Sequence, residues 1–530
     1  MNDQPNAKPS MVDRSNIVRT WRWLRSGRGI RRVLIVLAWT VTVVALFYGE
    51  EDWRGRRAWN AYRKAAEGRG LSLEFRAYIP KPVPDEQNFA ATPFLRTFLG
   101  PESGILTNDL WSRAVNHIYD IPHKKEMGHR HFTDLVAWQE AAVALERGKL
   151  RPDQSFETDK TDLNARAAAA PVVLEGMKPD MEVFRELRAA SGRPYARFAV
   201  AYDEENPWTI IVPHLAKIKQ LVQRLNLQAC AELAAGSSDQ ALADVKLMLA
   251  VADSVKTEPM LISFLVRSAC VQIAMQPVWE GLAEHRWTDA QLEELEARFL
   301  SYDFLTDAEK ALKAERAIGT WTGDMAKRNG VSLLAELRNG DGTHSSGPGF
   351  LEVADWIAPS GWYDFEKLNY NRLFDVLLEG AIDPAERMVS PHRAASDAAE
   401  WDREVSIGSL GVVLRHRILA SMMLAGLPKV ALRVATHQVA ADQAALACAL
   451  ERYRLANGQF PETMEELTPR YMAHLPNDVV TGQPYKYRRR ADGQFVLYSV
   501  GWNVKDEGGV QGGSLFDQTK GDWVWEYPGE

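Results

Sequence analysis

The hydrophobic pattern of this chain divides it into segments of different kinds. Val33–Gly49 (VLIVLAWTVTVVALFYG) is an uncharged run of 17 residues, at the short end of what crosses a bilayer. Ile30 and the arginine stems before it lengthen the run by snorkelling. Trp53–Glu67 then places Trp59, Tyr62 and Ala66 on one helical face, which predicts a helix continuing out of the membrane. Pro80, Pro82 and Pro84 alternate in IPKPVP, fixing an extended, stiff spacer.

Helical periodicity is clearest in the middle of the chain. Leu215, Ile218, Leu221, Val222 and Leu225 predict a helix over Pro213–Ala235 that stops at Gly236-Ser237-Ser238. Further helices are predicted from Asp239 to about Val255 and from Met260 to about His285, with capping boxes at Thr288–Gln291 and Thr306–Glu309. Short connections imply antiparallel neighbours. The pair ACAELAAGSSDQALADVKLMLAVADSV resembles one tetratricopeptide-type hairpin, but no second copy follows at the required period. Weaker helical signals lie at Phe132–Arg147, Val183–Ala190 and Asp364–Leu378. Asn339–Gly349 (NGDGTHSSGPG) is the strongest flexible break, and 384–405 is polar. Near the C-terminus Leu446, Leu450 and Tyr453 mark a helical face ending at Asn457-Gly458, followed by a short second helix and two alternating strands around Asp492-Gly493.

These elements give a mainly α fold: an N-terminal transmembrane helix, an irregular or solenoid-like helical body and a small C-terminal α+β module. The expected segments are a basic tail at 1–32, the anchor at 33–49, a juxtamembrane helix and spacer at 50–91, a helical domain at 92–338, a linker region with short helices at 339–405, and a long helix plus α+β module at 406–530.

The C-terminal residues ERYRLANGQFP, the turn P-x-D-x-x-x-G-x-P-Y-x-Y and the strand FVLYSVG resemble the globular part of type II secretion major pseudopilins over roughly the last 90 residues. The segment EEDWRGRRAW with IPKPVPDEQNFAATPF also resembles uncharacterised membrane-anchored bacterial proteins. The pseudopilin resemblance implies a fold and a calcium site in the loop after the last strands. The carboxylates there are Asp506, Glu507, Asp517 and Asp522, with Asp522 matching the closing aspartate, and ordinary turn roles are the alternative. The chain departs from that family in two ways. No G-F-x-x-x-E processing site precedes Ile407–Tyr453, and Arg415, His416, Arg417, Lys429 and Arg433 interrupt its apolar run, which argues against filament assembly.

Charge adds an orientation. The formal net charge is −7, yet residues 1–32 carry +6, which leaves −13 on the rest. Nucleic acid is therefore not an expected partner. Arginines before the apolar run and Glu50, Glu51 and Asp52 after it predict a cytoplasmic N-terminus, with the bulk outside a bacterial inner membrane and the anchor retained. Three cysteines, Cys230, Cys270 and Cys448, sit in apolar helical contexts as small hydrophobes.

Catalytic signatures are missing: there is no G-x-S-x-G, P-loop or H-E-x-x-H. His129 and His131 are two apart, and the basic cluster from His123 to His131 reads as solvated surface, as does Arg488-Arg489-Arg490 at a hairpin edge. Tryptophans number 17, and Trp356, Trp362, Trp502, Trp523 and Trp525 lie outside obvious cores, where they suit either packing or a protein partner. The chain thus reads as a membrane-anchored extracytoplasmic binding or scaffolding protein. Alternatives are a component of a secretion or pilus-like assembly and a hydrolase whose groups leave no local motif.

Overall fold

Val430–Asn457 places alanine or a larger apolar residue on every side, so the helix it forms has no solvent face until its last turn. A computed structural model of the chain describes residues 20–21, 23–99, 130–146, 162–202, 210–330, 358–378, 380–405, 415–424 and 427–528. Its longer helices are α1 (Gly27–Gly68), α2 (Leu135–Glu146), α3 (Leu163–Met177), α4 (Met181–Ala190), α5 (His214–Ala234), α6 (Ser238–Asp253), α7 (Leu261–Ala283), α8 (Asp289–Leu300), α9 (Phe304–Asn329), α10 (Ser360–Leu378), α11 (Pro391–Val405) and α12 (Val430–Asn457). Short strands β1 (Ile382–Asp383) and β2 (Met388–Val389) pair antiparallel, as do β3 (Lys486–Arg489), β4 (Phe495–Ser499) and β5 (Trp523–Trp525) in the order β3-β4-β5. The NGDGTHSSGPG break, Trp356, His123–His129 and most of the basic tail lie outside the described residues.

The chain divides into two compact units, residues 1–68 with 323–369 and residues 69–322 with 370–530. In the smaller unit the anchor and the juxtamembrane helix are a single 42-residue helix, long and apolar enough to cross a membrane, with none of its most apolar window buried. Beyond that window Trp59 and Ala66 are buried. Gly55 there meets Gly361 backbone to backbone, too closely for a Cβ on either. Glu51 and Asp52, read in the sequence as a membrane flank, make contacts of their own. Asp52 accepts from the Gly361 amide at 2.7 Å and Glu51 from Trp362 Nε1 at 3.1 Å, so the two carboxylates cover the start of α10. Lys367 Nζ lies 4.7 Å from the centre of the Trp59 ring and pairs with Asp324 at 2.6 Å.

In the larger unit α5 and α6 form a hairpin, closed at Gly236 (φ +83°), where the Ser237 amide returns to the Glu232 carbonyl at 2.8 Å. Helix α7 packs on both, and α7 and α8 pack on α12. Thr288 and Gln291 make the capping box expected of them. The second expected box does not start a helix. The Asp303 carboxylate takes the Thr306 amide at 3.0 Å and its hydroxyl at 2.6 Å, so α9 begins upstream at Phe304.

The C-terminal helix and strands share this core. All of β4 is buried, Gln443 of α12 donates to the Trp523 carbonyl at 2.7 Å, and Trp279 of α7 donates to that of Glu526 at 3.0 Å. The tryptophans of β5 are thus core residues. Residues 384–405, polar in sequence, contain a hairpin and a helix rather than linker alone. Arg489, on the edge strand, folds back to donate to the Phe460 carbonyl at 3.1 Å and pairs with Glu462.

His437 in α12 is 3% exposed against Phe304, and burial followed by the Arg433 charge lowers its pKa to about 3. Its folded pKa lies below its unfolded one, so its contribution is complete above pH 6.5 and declines as pH falls from there toward 3. The slope of that loss is about 1.4 kcal/mol per pH unit well below 6.5. His437→Leu is expected to show a smaller drop in melting midpoint between pH 7 and pH 5 than the parent chain. Equal drops would contradict this assignment.

Candidate functional site

A cleft of about 1170 Å³ lies in the larger unit. One wall is the segment after α4. Pro194 restricts Arg193 to extended backbone, and the chain from there runs alongside residues 87–89. The Phe89 amide donates to the Tyr195 carbonyl at 2.7 Å and the Tyr195 amide to that of Gln87 at 3.1 Å. Asn88 clamps Arg197, two residues on, with both amide atoms, donating to its carbonyl at 2.9 Å and accepting from its amide at 2.8 Å. The proline spacer lends Pro80, Lys81 and Val83, and the floor comes from α6 and α8 through Leu249, Ala250 and Leu295.

Basic side chains outnumber acidic ones in this lining, six to two. Arg298 pairs with Asp253, which also accepts from Arg267 at 2.7 Å, and Lys246 pairs with Glu294. Arg193 and Arg197 donate instead to the carbonyls of Asn88 and Pro80, at 3.0 and 3.1 Å. Lys81 and Lys256 are exposed, with no carboxylate partner among the described residues. The phenol of Tyr302 behind Asp253 is pushed up by burial and then by that carboxylate.

A hydrolase reading meets one arrangement of familiar residue types. His214 Nε2 lies 2.7 Å from Glu258, whose other oxygen accepts from the Ser263 hydroxyl at 2.6 Å. The carboxylate stands between serine and histidine, so the histidine cannot take the serine proton directly, the contact an activated serine needs. All three are buried. The cysteines are buried too, and burial pushes the Cys270 thiol up to about 12.

Of the four carboxylates considered for calcium, the structure brings two together. Asp522 accepts from the Glu507 and Gly509 amides at 3.3 and 2.7 Å, and its side chain faces that of Glu507. Burial first, and the adjacent Glu507 among the further causes, raise Asp522 to about 6. Asp506 accepts from the Tyr498 hydroxyl at 3.1 Å and the Gly508 amide at 3.0 Å. Asp517 closes its own turn on Thr519, Lys520 and Gly513, and those hydrogen bonds lower it to about 2. Calcium takes six to eight oxygens. No group of three or more His, Cys, Asp or Glu is gathered for a metal among the described residues, and this pair with one unpartnered Glu507 oxygen does not by itself fit the ion.

Sequence reasoning missed the cleft, although SGRPYAR after a helix and the lysine in IPKPVP carry a signal: cations spaced along two extended segments. No protein-family model matches the chain, and no curated protein or solved structure matches it either.

Proposed function

We propose that this chain is a membrane-tethered binding or scaffolding protein whose folded body stands on the extracytoplasmic side of a bacterial inner membrane. The observation that carries the reading is α1. Its apolar half is exposed along its length and preceded by arginines, and the same helix continues into a folded unit. Positive residues stay on the cytoplasmic side of such spans. Binding rather than turnover is favoured by the large, open, cation-lined cleft and by the closed geometry of His214, Glu258 and Ser263. In this reading the pseudopilin-like helix, turn and hairpin contribute a fold to the body, and the packing of α12 among other helices supports a scaffold over a filament subunit.

The test is topological. Lys505 is exposed and the native cysteines are buried, so Lys505→Cys supplies one reactive thiol. It is expected to react with a membrane-impermeant maleimide in intact spheroplasts. Labelling only after lysis would overturn the orientation.

A further inference from the structure

The cleft is a local exception to the chain's charge. Residues 33–530 carry a net −13, so a surface taken at random from them would repel an anion. Here Lys81, Arg193, Arg197 and Lys256 remain without a carboxylate partner among the described residues, while the two carboxylates of the lining are already paired. Low-dielectric walls concentrate such a field on whatever enters.

Volume and lining narrow the ligand. At about 1170 Å³ the cleft exceeds the usual small-molecule range of about 300–1,000 Å³, so it suits an elongated ligand. The accessible floor is Ala250 and Ala297, with Leu249 and Leu295 buried beneath them. An aliphatic side chain fits it. The wall at 193–197 has its backbone already held by residues 87–89, by the Asn88 side chain and by Thr257, so it offers a ligand its arginine side chains.

We propose that this cleft binds an extended acidic peptide segment, with carboxylates set on the cations of the lining and an apolar side chain between them seated on Ala250 and Ala297. The proposal rests on the reading of the chain as a binding protein and supplies the partner's chemistry. Charge steers such a ligand and fixes its register, while the apolar anchor slows its release.

The experiment uses the full chain in detergent and a fluorescein-labelled ten-residue peptide of alternating glutamate and leucine, read by anisotropy. Its control carries glutamine in place of glutamate. The acidic peptide is expected to bind at least tenfold more tightly than the control and to weaken as salt rises. The double variant Lys81→Glu, Lys256→Glu, changed only at exposed side chains, is expected to lose at least tenfold for the acidic peptide. Ala250→Trp, which fills the floor, is expected to weaken both peptides. Equal binding of the two peptides, an unchanged affinity in the double variant, or tighter binding of oligogalacturonate or phosphatidylglycerol vesicles than of the peptide would each overturn the proposal. If Lys505→Cys still labels from outside in that case, the inference about the cleft fails alone. Labelling only after lysis removes the extracytoplasmic reading, whatever the cleft binds.

Discussion

Gly55→Ala is expected to break the contact between α1 and the start of α10. The new methyl would meet the backbone carbon and oxygen of Gly361, and no side chain is available there to swing aside. Close helix crossings need such small residues. The reverse substitution, Gly361→Ala, would run into the Glu51 carbonyl. Either change should cost about 1–3 kcal/mol, the range for forcing an extra methyl into a packed site, and should loosen the Asp52 and Glu51 contacts at α10. Cysteines at Glu51 and Trp362, whose native side chains meet at 3.1 Å, joined by a short bifunctional thiol reagent, report on it. Cross-linking is expected to be efficient in the otherwise unchanged chain and to fall severalfold with Gly55→Ala. Undiminished cross-linking together with an unchanged melting midpoint would show that the contact does not hold this unit.

Asp442→Ala is expected to be the most damaging single change in the larger unit. Asp442 is 1% exposed in α12. One oxygen accepts from Arg387 at 2.6 Å and Gln438 at 3.0 Å, and the other from the Tyr485 hydroxyl at 2.8 Å. Arg387 sits at φ +53° between β1 and β2 and also donates to the Asn477 carbonyl at 2.9 Å. One carboxylate therefore ties α12 to the β1-β2 hairpin and to the segment entering β3. Its pKa is raised by burial, while Arg387 and the hydrogen bonds oppose the rise. Removing it leaves the buried Tyr485 hydroxyl without its acceptor, a cost of about 1–3 kcal/mol, and leaves Arg387, whose side chain is 39% exposed, without its ion pair. Asp442→Asn, which keeps an acceptor for Arg387, should lose less. If both variants melted with the parent chain, the cluster would not be what joins these elements.

Much of the fold was legible because its signals are local. Helices α5 to α8 follow from 3.6-residue periodicity, Gly236 and the Thr288 capping box, and β3-β4 from alternation around Asp492-Gly493. Three features depend on partners far along the chain. Strand β5 is three residues long and exists by pairing with β4. Helix α11 looks like a linker because its sequence is polar, yet it buries Ala394. Glu51 and Asp52 carry the expected sign for a membrane flank, while their contacts lie some 310 residues away. The cleft was hidden for the same reason, since residues 80–301 contribute to it in pieces. Whether the C-terminal elements pack on the helical body or stand free was not legible in their local pattern. The helix ending in ERYRLANG, the turn and the hairpin form as expected, but α12 is buried among α7, α8 and β4 instead of being carried as a separate module.

Helix α8, which floors the cleft, stands on the same core as α12. Hydrogen exchange of the full chain in detergent, resolved by peptide, tests this shared core most directly. Amides of α12 and β4 are expected to exchange as slowly as those of α5 and α7, opening with them as one cooperative unit. Faster exchange across 430–528 as a block, while α5 and α7 stay protected, would contradict it.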